Sequence, residues 1–493
     1  MTGYDFRPSY LKIAGIRDSL PGVPTLALTA TATPEVVRDI QEKLHFKKKN
    51  LFRTSFEREN LAYVVRMAED KIAQLKNILT SVGGTAIVYV RSRKKTREVA
   101  LALRDDRISA DFYHAGLTHE EKTLKQNAWK DNQCRVMVAT NAFGMGIDKA
   151  DVRVVIHLDL PNSLEEYYQE AGRAGRDGLK SYAVVLFNGK DTQMLKKRIS
   201  DSFPDKKFIV RVYEALGNYY QVAVGFGYGN TYDFNLHEFC YAYEFSFLQA
   251  HHALKILELA GYIEYTEEVD SRSRVQFLVT RNELYTLNLS QDNEQLIYTI
   301  LRNYTGVFSD DVYIDEGMLS TILGKSRNDI YEMLTQLSKS RHIKYVPQKK
   351  TPYIIFSTSR EDTPYVSIPK AVYEDRRNRF EKRIDSMIDY VERTDVCRSR
   401  MLLIYFDERE ARNCGQCDVC LRKDESGLSN HEFLKIKELL YEKLKEESHL
   451  PLGLLSDAVP EYNTEKVIKV IRFLIDKGRI TLNQDTIRLK DKK

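Results

Sequence analysis

Ala86-Ile87-Val88-Tyr89-Val90, Arg135-Val136-Met137-Val138-Ala139, Val154-Val155-Ile156-His157-Leu158 and Tyr182-Ala183-Val184-Val185-Leu186 decide the fold. Each is a near-continuous apolar run of strand length, and amphipathic helical stretches separate one from the next. Strands that are apolar on both faces belong to a parallel sheet, whose crossover connections cover it with helices. The alternation over residues 85–186 therefore predicts an α/β lobe on a parallel sheet. Upstream, Pro24-Thr25-Leu26-Ala27-Leu28 reads as a further apolar strand with no partner before it.

A chain of 493 residues is too long for one hydrophobic core, and several domains follow from its length. Hydrophobic residues make up 43% and charged residues 29%, which excludes a disordered or fibrous chain. The net charge of +5 is mild, so a nucleic-acid surface must come from local clustering. No apolar run is long enough for a bilayer, and Met1 to Tyr10 lacks an apolar secretion core. A cytoplasmic protein with no membrane partner is expected.

From about residue 205 one pattern occurs three times: a helix, a tight stop, and a two-stranded hairpin. Ala253 to Leu259 runs into Gly261 and the strand Tyr262 to Tyr265, trailed by Val275 to Val279. Ile330 to Leu337 precedes Ile343 to Val346, trailed by Tyr353 to Phe356. Val467 to Ile475 precedes Gly478 and Ile480 to Leu482, trailed by Ile487 to Leu489. This is the closing half of a winged-helix module, which serves either DNA binding or protein packing. Residues 370–395 form a charged helix carrying Arg376, Arg377, Arg379, Lys382 and Arg383, read as a solvated face or as a phosphate-contacting one.

Two segments carry chemistry. Gln169-Glu170-Ala171-Gly172-Arg173-Ala174-Gly175-Arg176-Asp177-Gly178 holds two arginines three residues apart, a spacing that lets both project to one side. Arginine suits phosphate because its planar fork donates bidentate hydrogen bonds and keeps its charge when desolvated. Aimed at a γ-phosphate, such a group stabilises the charge that develops during phosphoryl transfer. Thr140-Asn141-Ala142-Phe143-Gly144-Met145-Gly146-Ile147-Asp148-Lys149 follows a buried strand and places Gly-x-Gly where α/β sheets bind ligands. Asp148 there is suited to accept from a ribose hydroxyl, or simply to cap the next turn.

Cys397 and the run Cys414-x2-Cys417-x2-Cys420 are a third constellation. Four thiolates satisfy a closed tetrahedral zinc site and leave no position open for catalysis. Cys134 and Cys240 are isolated and read as packing residues.

With Leu28-Thr29-Ala30-Thr31-Ala32 and Tyr113-His114-Ala115-Gly116-Leu117, the two glycine-bearing segments resemble the ordered motifs of superfamily 2 helicases. More narrowly, the chain resembles the RecQ family of ATP-dependent DNA helicases over residues 3–190 and about 370–425. That resemblance implies Arg173 and Arg176 at the γ-phosphate, with Arg176 as the arginine finger. It implies Gln169, Asp148 and Gly146 at the nucleotide, and Phe6, Arg7, Thr29, Thr31, His114 and Thr140 in DNA contact or its coupling to hydrolysis. It also implies a structural Zn2+ on the four cysteines, ATP and Mg2+ as substrate and cofactor, and 3′ to 5′ unwinding of DNA in repair or recombination. Single-stranded and duplex DNA are the implied partners, together with repair or single-strand-binding proteins.

The phosphate-binding Gly-x4-Gly-Lys-Ser/Thr is not found in these 493 residues. Gly324-Lys325-Ser326 has Leu319 where the first glycine belongs, and Gly189-Lys190 is followed by Asp191. Leu402-Leu403-Ile404-Tyr405-Phe406-Asp407-Glu408 mimics an acidic metal-binding strand, but lies between the cysteines and by resemblance is a helix. Arg58-Glu59-Asn60 carries Glu59 where that family commonly has proline. The reading is of a chain lacking most of a first lobe. Residues 1–50 are its remnant and 51–205 the second RecA-like lobe. Residues 206–362 are an insertion with winged-helix-like modules, 363–425 a helical hairpin with the zinc subdomain, and 426–493 a last winged-helix-like module. Alone, the chain is expected to be catalytically inactive; the competing reading is a non-catalytic DNA-binding module.

Overall fold

The structure, a computed structural model, describes residues 13–489 apart from 21–22, 47, 145–146, 267–272, 285–286, 288, 349–351, 423–427, 448, 455–458, 478 and 484. Phe6, Arg7, Gly146 and Gly478 lie outside the described residues.

Six strands form the central sheet: β1 (Leu61–Met67), β2 (Thr85–Tyr89), β3 (Ala110–Tyr113), β4 (Val136–Ala139), β5 (Val152–His157) and β6 (Ser181–Phe187). They lie in the order β1-β6-β5-β2-β4-β3, and every neighbouring pair is parallel. β2 and β4 are buried along their whole length, as their unbroken apolar runs require. One face packs Ala86, Val88, Val136, Val138, Val154 and Ile156 against Leu75 and Leu79 of the helix Lys71–Ser81 and Val99 and Leu103 of Arg93–Asp105. On the opposite face, Trp129 of the helix His119–Lys130 is fully buried and donates its indole N–H to the Ala86 carbonyl at 3.2 Å.

The sheet corrects the four-strand reading. β3 is an edge strand of four residues, half-buried and containing Asp111, so its apolar signal is weak. β1 is the other edge, and its run Leu61-Ala62-Tyr63-Val64-Val65 carries the same apolar signal upstream of residues 85–186. Pro24 to Leu28 is not a strand. Leu26 and Leu28 are 72% and 84% exposed, and among the described residues no strand pairs with them. An apolar run without a ladder partner cannot satisfy its backbone as a strand.

The chain divides into two compact units, with breaks after Leu195 and before Arg383. Residues 196–382 carry β7 (Thr231–Asp233), β8 (Ile263–Thr266), β9 (Arg274–Phe277), β10 (Val312–Tyr313), β11 (Ile343–Val346) and β12 (Tyr353–Phe356). Here the expected hairpins are wrong. β8 pairs antiparallel with β12, not with the strand that follows it, and β11 pairs with β9. The sheets run β7-β12-β8 and β10-β9-β11. One winged-helix module is therefore inserted into the hairpin of another. The outer module packs the helices Lys206–Tyr219, Leu236–Ala242 and Phe247–Leu259 on its sheet, and the inner one packs Gln291–Asn303, Glu316–Leu323 and Arg327–Lys339. A charge cluster joins the two sheets: Arg274 of β9 donates to Glu264 of β8 at 3.1 Å, and Lys344 of β11 reaches Glu264 and, at 3.3 Å, Asp311.

In the other unit, β13 (Leu450–Pro451), β14 (Ile480–Asn483) and β15 (Thr486–Leu489) form a sheet in the order β13-β15-β14. The helices Asn430–Glu447 and Thr464–Asp476 close its core around Ile436, Leu440, Val470 and Ile487. Among the described residues no helix is long and apolar enough to cross a membrane.

Candidate nucleotide cleft and zinc centre

The arginine turn is held from both ends. The helix Leu164–Ala171 begins at Ser163, whose hydroxyl accepts from the Glu166 N–H at 3.2 Å, and Glu165 and Glu166 complement its N-terminal dipole. It stops at Gly172, whose N–H returns to the Tyr168 carbonyl at 2.9 Å. The following turn is tied to the sheet by Gly175 N–H on the Val152 carbonyl at 2.9 Å and Asp177 N–H on the Ala150 carbonyl at 3.2 Å. Arg58 and Asn60 clamp it from the other side. The Arg58 guanidinium donates to the carbonyls of Ala174 at 3.0 Å and Gly175 at 3.1 Å, and the Asn60 amide donates to Gly175 at 2.7 Å and Leu179 at 3.0 Å. In the sequence, Arg58-Glu59-Asn60 stands out only for its glutamate. The signal was an arginine and an asparagine flanking a strand start, two multi-donor side chains suited to a carbonyl-rich turn.

The turn faces a cleft of about 1310 Å³, whose lining includes Thr29, Thr31, Asn141, Gly144, Asp148, Gln169, Arg173 and Arg176. The structure thus brings together most of the residues singled out for the nucleotide. Arg176 Nη1 meets the Asp148 carboxylate at 2.6 Å, so Asp148 is an ion-pair partner here and not a free acceptor. Both are solvent-accessible, the arginine side chain at 38% and the aspartate at 86%. Such a pair holds geometry at little net energy and is readily exchanged for a stronger anion. Arg173 lies across Gly144: a Cβ there would sit 2.8 Å from Nη2, so a side chain at 144 would push the guanidinium aside. Its Nε is buried without a hydrogen-bond partner. Gln169 Nε2 donates to the Thr31 hydroxyl at 2.5 Å, tying the helix to the Thr29–Ala32 segment.

Below the cleft, His157 Nε2 and Glu170 Oε2 are 2.8 Å apart, and the imidazole stacks on Tyr89 with centroids 5.2 Å apart. The Tyr89 hydroxyl donates to the Phe143 carbonyl at 2.8 Å, and burial raises its pKa although the Arg173 guanidinium opposes the rise. His114 and Thr140 do not line the cleft. They follow the C-terminal ends of the adjacent strands β3 and β4, where the Thr140 N–H donates to the Tyr113 carbonyl at 3.2 Å. Desolvation, with Arg93 second, lowers the His114 pKa.

The four cysteines converge. Their Sγ atoms all lie within 4.8 Å of one another, with Cys397 3.5 Å from Cys414 and 3.9 Å from Cys417. Zn–S bonds near 2.3 Å make a tetrahedral S···S edge of roughly 3.8 Å, far longer than a disulfide. The donor set fits Zn2+, and the centre is a structural zinc site. Backbone N–H groups support the sulfurs: Cys414 N–H donates to Cys397 Sγ at 3.2 Å and Cys420 N–H to Cys417 Sγ at 3.4 Å. Gly415 makes the knuckle at φ 71, and a Cβ there would strike the His431 ring at 2.9 Å. Cys134 and Cys240 are buried away from the cluster.

Around the zinc centre, the fully buried Arg398 pairs with Asp418 at 3.0 and 3.1 Å and also donates to the Tyr390 carbonyl. Asp418 in turn accepts from the Val65 N–H at 3.3 Å, which ties the cysteine region to β1. The charged helix spans Glu374–Glu392. Arg383 approaches Glu165 at 3.8 Å, and Arg376, Arg379 and Lys382 each have partners, so the helix is not simply a solvated face.

The parallel-sheet lobe thus presents paired arginines to an open cleft and carries the zinc centre against its edge strand. The model for the helicase conserved C-terminal domain matches residues 70–178. The RecQ helicase winged-helix domain, as described for Bacteroidota, matches 275–347, and the RecQ zinc-binding domain matches 360–421. Together these matches support a RecQ-family superfamily 2 helicase, of which the chain covers the C-terminal part. It is 43% identical over 206 residues to the RecQ-like DNA helicase blm-1 of Caenorhabditis elegans, covering 40% of this chain and 21% of that one. It is 42% identical over 207 residues to the ATP-dependent DNA helicase RecQ of Bacillus subtilis, covering 42% and 35%. The Pasteurella multocida protein of that name is 38% identical over 220 residues, covering 44% and 35%. The chain thus spans between about a fifth and a third of the length of these relatives.

Proposed function

We propose that these residues form the second motor lobe and accessory modules of an ATP-dependent DNA helicase that unwinds 3′ to 5′ in DNA repair or recombination. The observation that carries this reading is the arginine turn, with Arg173 and Arg176 lining one cleft beside Gln169 and Asp148. ATP and Mg2+ are held between this lobe and a phosphate-binding half. The γ-phosphate replaces Asp148 as the partner of Arg176, because three oxygens bearing developing charge bind a guanidinium better than one exposed carboxylate. Arg173, lying over Gly144, takes a second oxygen, and Gln169 links the nucleotide to Thr31. Phe6, Arg7, Thr29, Thr31, His114 and Thr140 couple the cleft to single-stranded and duplex DNA. The zinc subdomain and the winged helices add contacts to the same DNA, repair or single-strand-binding proteins are the protein partners, and the setting is cytoplasmic.

By themselves, residues 1–493 contain no Gly-x4-Gly-Lys-Ser/Thr, which favours binding without turnover for the isolated chain. The test is DNA-stimulated ATP hydrolysis in protein that carries both halves of the cleft. Arg176→Ala should cut turnover on the order of a thousandfold or more, with nucleotide affinity changed far less. Near-normal turnover in that variant would remove Arg176 from the role.

A further inference from the structure

Glu408 belongs to the acidic segment that mimics a metal-binding motif, and its geometry gives it a different use. The helix Arg398–Tyr405 starts at Cys397, a zinc ligand, and ends in a tight turn. There the Phe406, Asp407 and Glu408 N–H groups return to Leu402 at 3.1 Å, Ile404 at 2.9 Å and Leu403 at 2.8 Å. Asp407 takes the left-handed conformation at φ 69, which is costly without glycine and sets the direction of Glu408. Both carboxylate oxygens are then used on one target. Oε2 accepts from the Ser55 hydroxyl at 2.7 Å and Oε1 from the Phe56 N–H at 2.6 Å.

That target is the extended segment 51–58, which joins the helix Pro34–Lys43 to β1 and lines the cleft. Its residues 51–55 are exposed, with no regular structure to hold them. The clamp around it is otherwise aromatic. The Phe56 ring stacks on the buried Phe406 at 4.6 Å and 17°, Tyr168 of the arginine helix meets Phe56 edge-on at 5.8 Å, and the Tyr168 hydroxyl donates to the Phe56 carbonyl at 2.7 Å. Arg53 donates to the Phe406 carbonyl. The tether is therefore fixed between the zinc subdomain on one side and the arginine helix on the other.

We propose that Glu408 is a positioning residue that pins this tether, so that the zinc centre, one eight-residue helix away, sets the direction in which the chain leaves the arginine-bearing lobe. A zinc subdomain so placed acts on closure of the nucleotide cleft as well as on folding. The inference rests on the helicase reading for its consequence but not for the clamp itself.

The clamp is tested on the 493-residue chain by amide hydrogen exchange of the segment 51–58, with β2 as an internal reference. Glu408→Ala should speed exchange in the tether about tenfold or more, the effect of losing hydrogen bonds to a charged group. Glu408→Gln keeps one acceptor and should fall between, while zinc content and β2 protection stay at parental values. Unchanged tether exchange in Glu408→Ala overturns the proposal. If β2 protection or zinc is lost in that variant, Ser55→Ala decides: it removes one donor from outside the zinc subdomain, and an unmoved tether there overturns the proposal too. In protein carrying both halves, Glu408→Ala should lower kcat with the KM for ATP nearly constant. Loss confined to KM would overturn the positioning role, whereas absence of turnover in the parent itself would count against the helicase reading and leave the clamp standing.

Discussion

The zinc centre and the nucleotide cleft lie in the same unit and obey opposite rules. At the centre, three of the four cysteines are buried, and the sulfurs converge within a chain segment of a few turns. At the cleft, Asp148 and Arg176 are open to solvent, and the walls come from segments far apart in sequence. The centre is complete in itself, so its energy goes into folding. The cleft is open, so on the proposed reading its energy is released only when a nucleotide fills it. Substitutions in the two regions should differ in kind: stability from one, rate from the other.

The largest effect should come from the metal. Cys417→Ala should take zinc from about one ion per chain to near none by elemental analysis. Structural zinc contributes on the order of 10 kcal/mol in small metal-bound folds, so the segment around residues 397–420 should lose its protection from exchange. Cys134→Ala should leave zinc unchanged, since Cys134 only packs and donates its S–H to the Val136 carbonyl at 3.3 Å. Zinc retained in the Cys417 variant would break the contrast at its root.

Next comes Arg398→Ala. It leaves Asp418 partly buried beside the metal without its cation, and removing one partner of a buried pair costs about 3–5 kcal/mol. Chemical denaturation of the unit should show this loss, and a Met replacement should recover part of it. A change below about 1 kcal/mol would mean that solvent reaches Asp418 freely.

Much of this contrast was legible in the sequence, for a physical reason. Cys414-x2-Cys417-x2-Cys420 is local, so spacing alone implied convergence, and the arginine turn was local too. What failed was non-local. β8 and β12 pair across an inserted module, and neither strand carries any mark of a partner some ninety residues away. Pro24 to Leu28 has the composition of a strand, but a strand also needs a neighbour. Arg58, Asn60 and Glu408 were visible as residues, yet their roles depend on which carbonyls and amides the fold sets beside them. Asp148 lines the cleft, but its pairing with Arg176, which spacing does not show, depends on the turn being folded back by Val152 and Ala150.

A smaller effect belongs to the second unit. Burial, reinforced by His251, lowers the pKa of His252 to about 4. Its folded value lies below the unfolded one, so the stability it contributes is present above about pH 6.5 and falls away as pH drops toward 4. Between pH 7 and 5 the winged-helix unit should lose on the order of 1 kcal/mol, and His252→Gln should flatten that slope. The zinc centre should respond to acid separately, through proton competition for its thiolates, and added Zn2+ should reverse that component alone.

On the proposed reading the arginine turn recognises the transition state of phosphoryl transfer. That recognition is tested most directly by calorimetry of nucleotide binding to protein with both halves of the cleft, using ADP with Mg2+ alone and ADP with a metal fluoride that mimics the transferring phosphoryl group. Arg176→Ala should weaken the metal-fluoride complex by roughly a thousandfold and ADP by less than about tenfold, because its guanidinium meets charge that only the transition state develops. Equal losses for the two ligands would contradict the account and make Arg176 an ordinary nucleotide-binding residue.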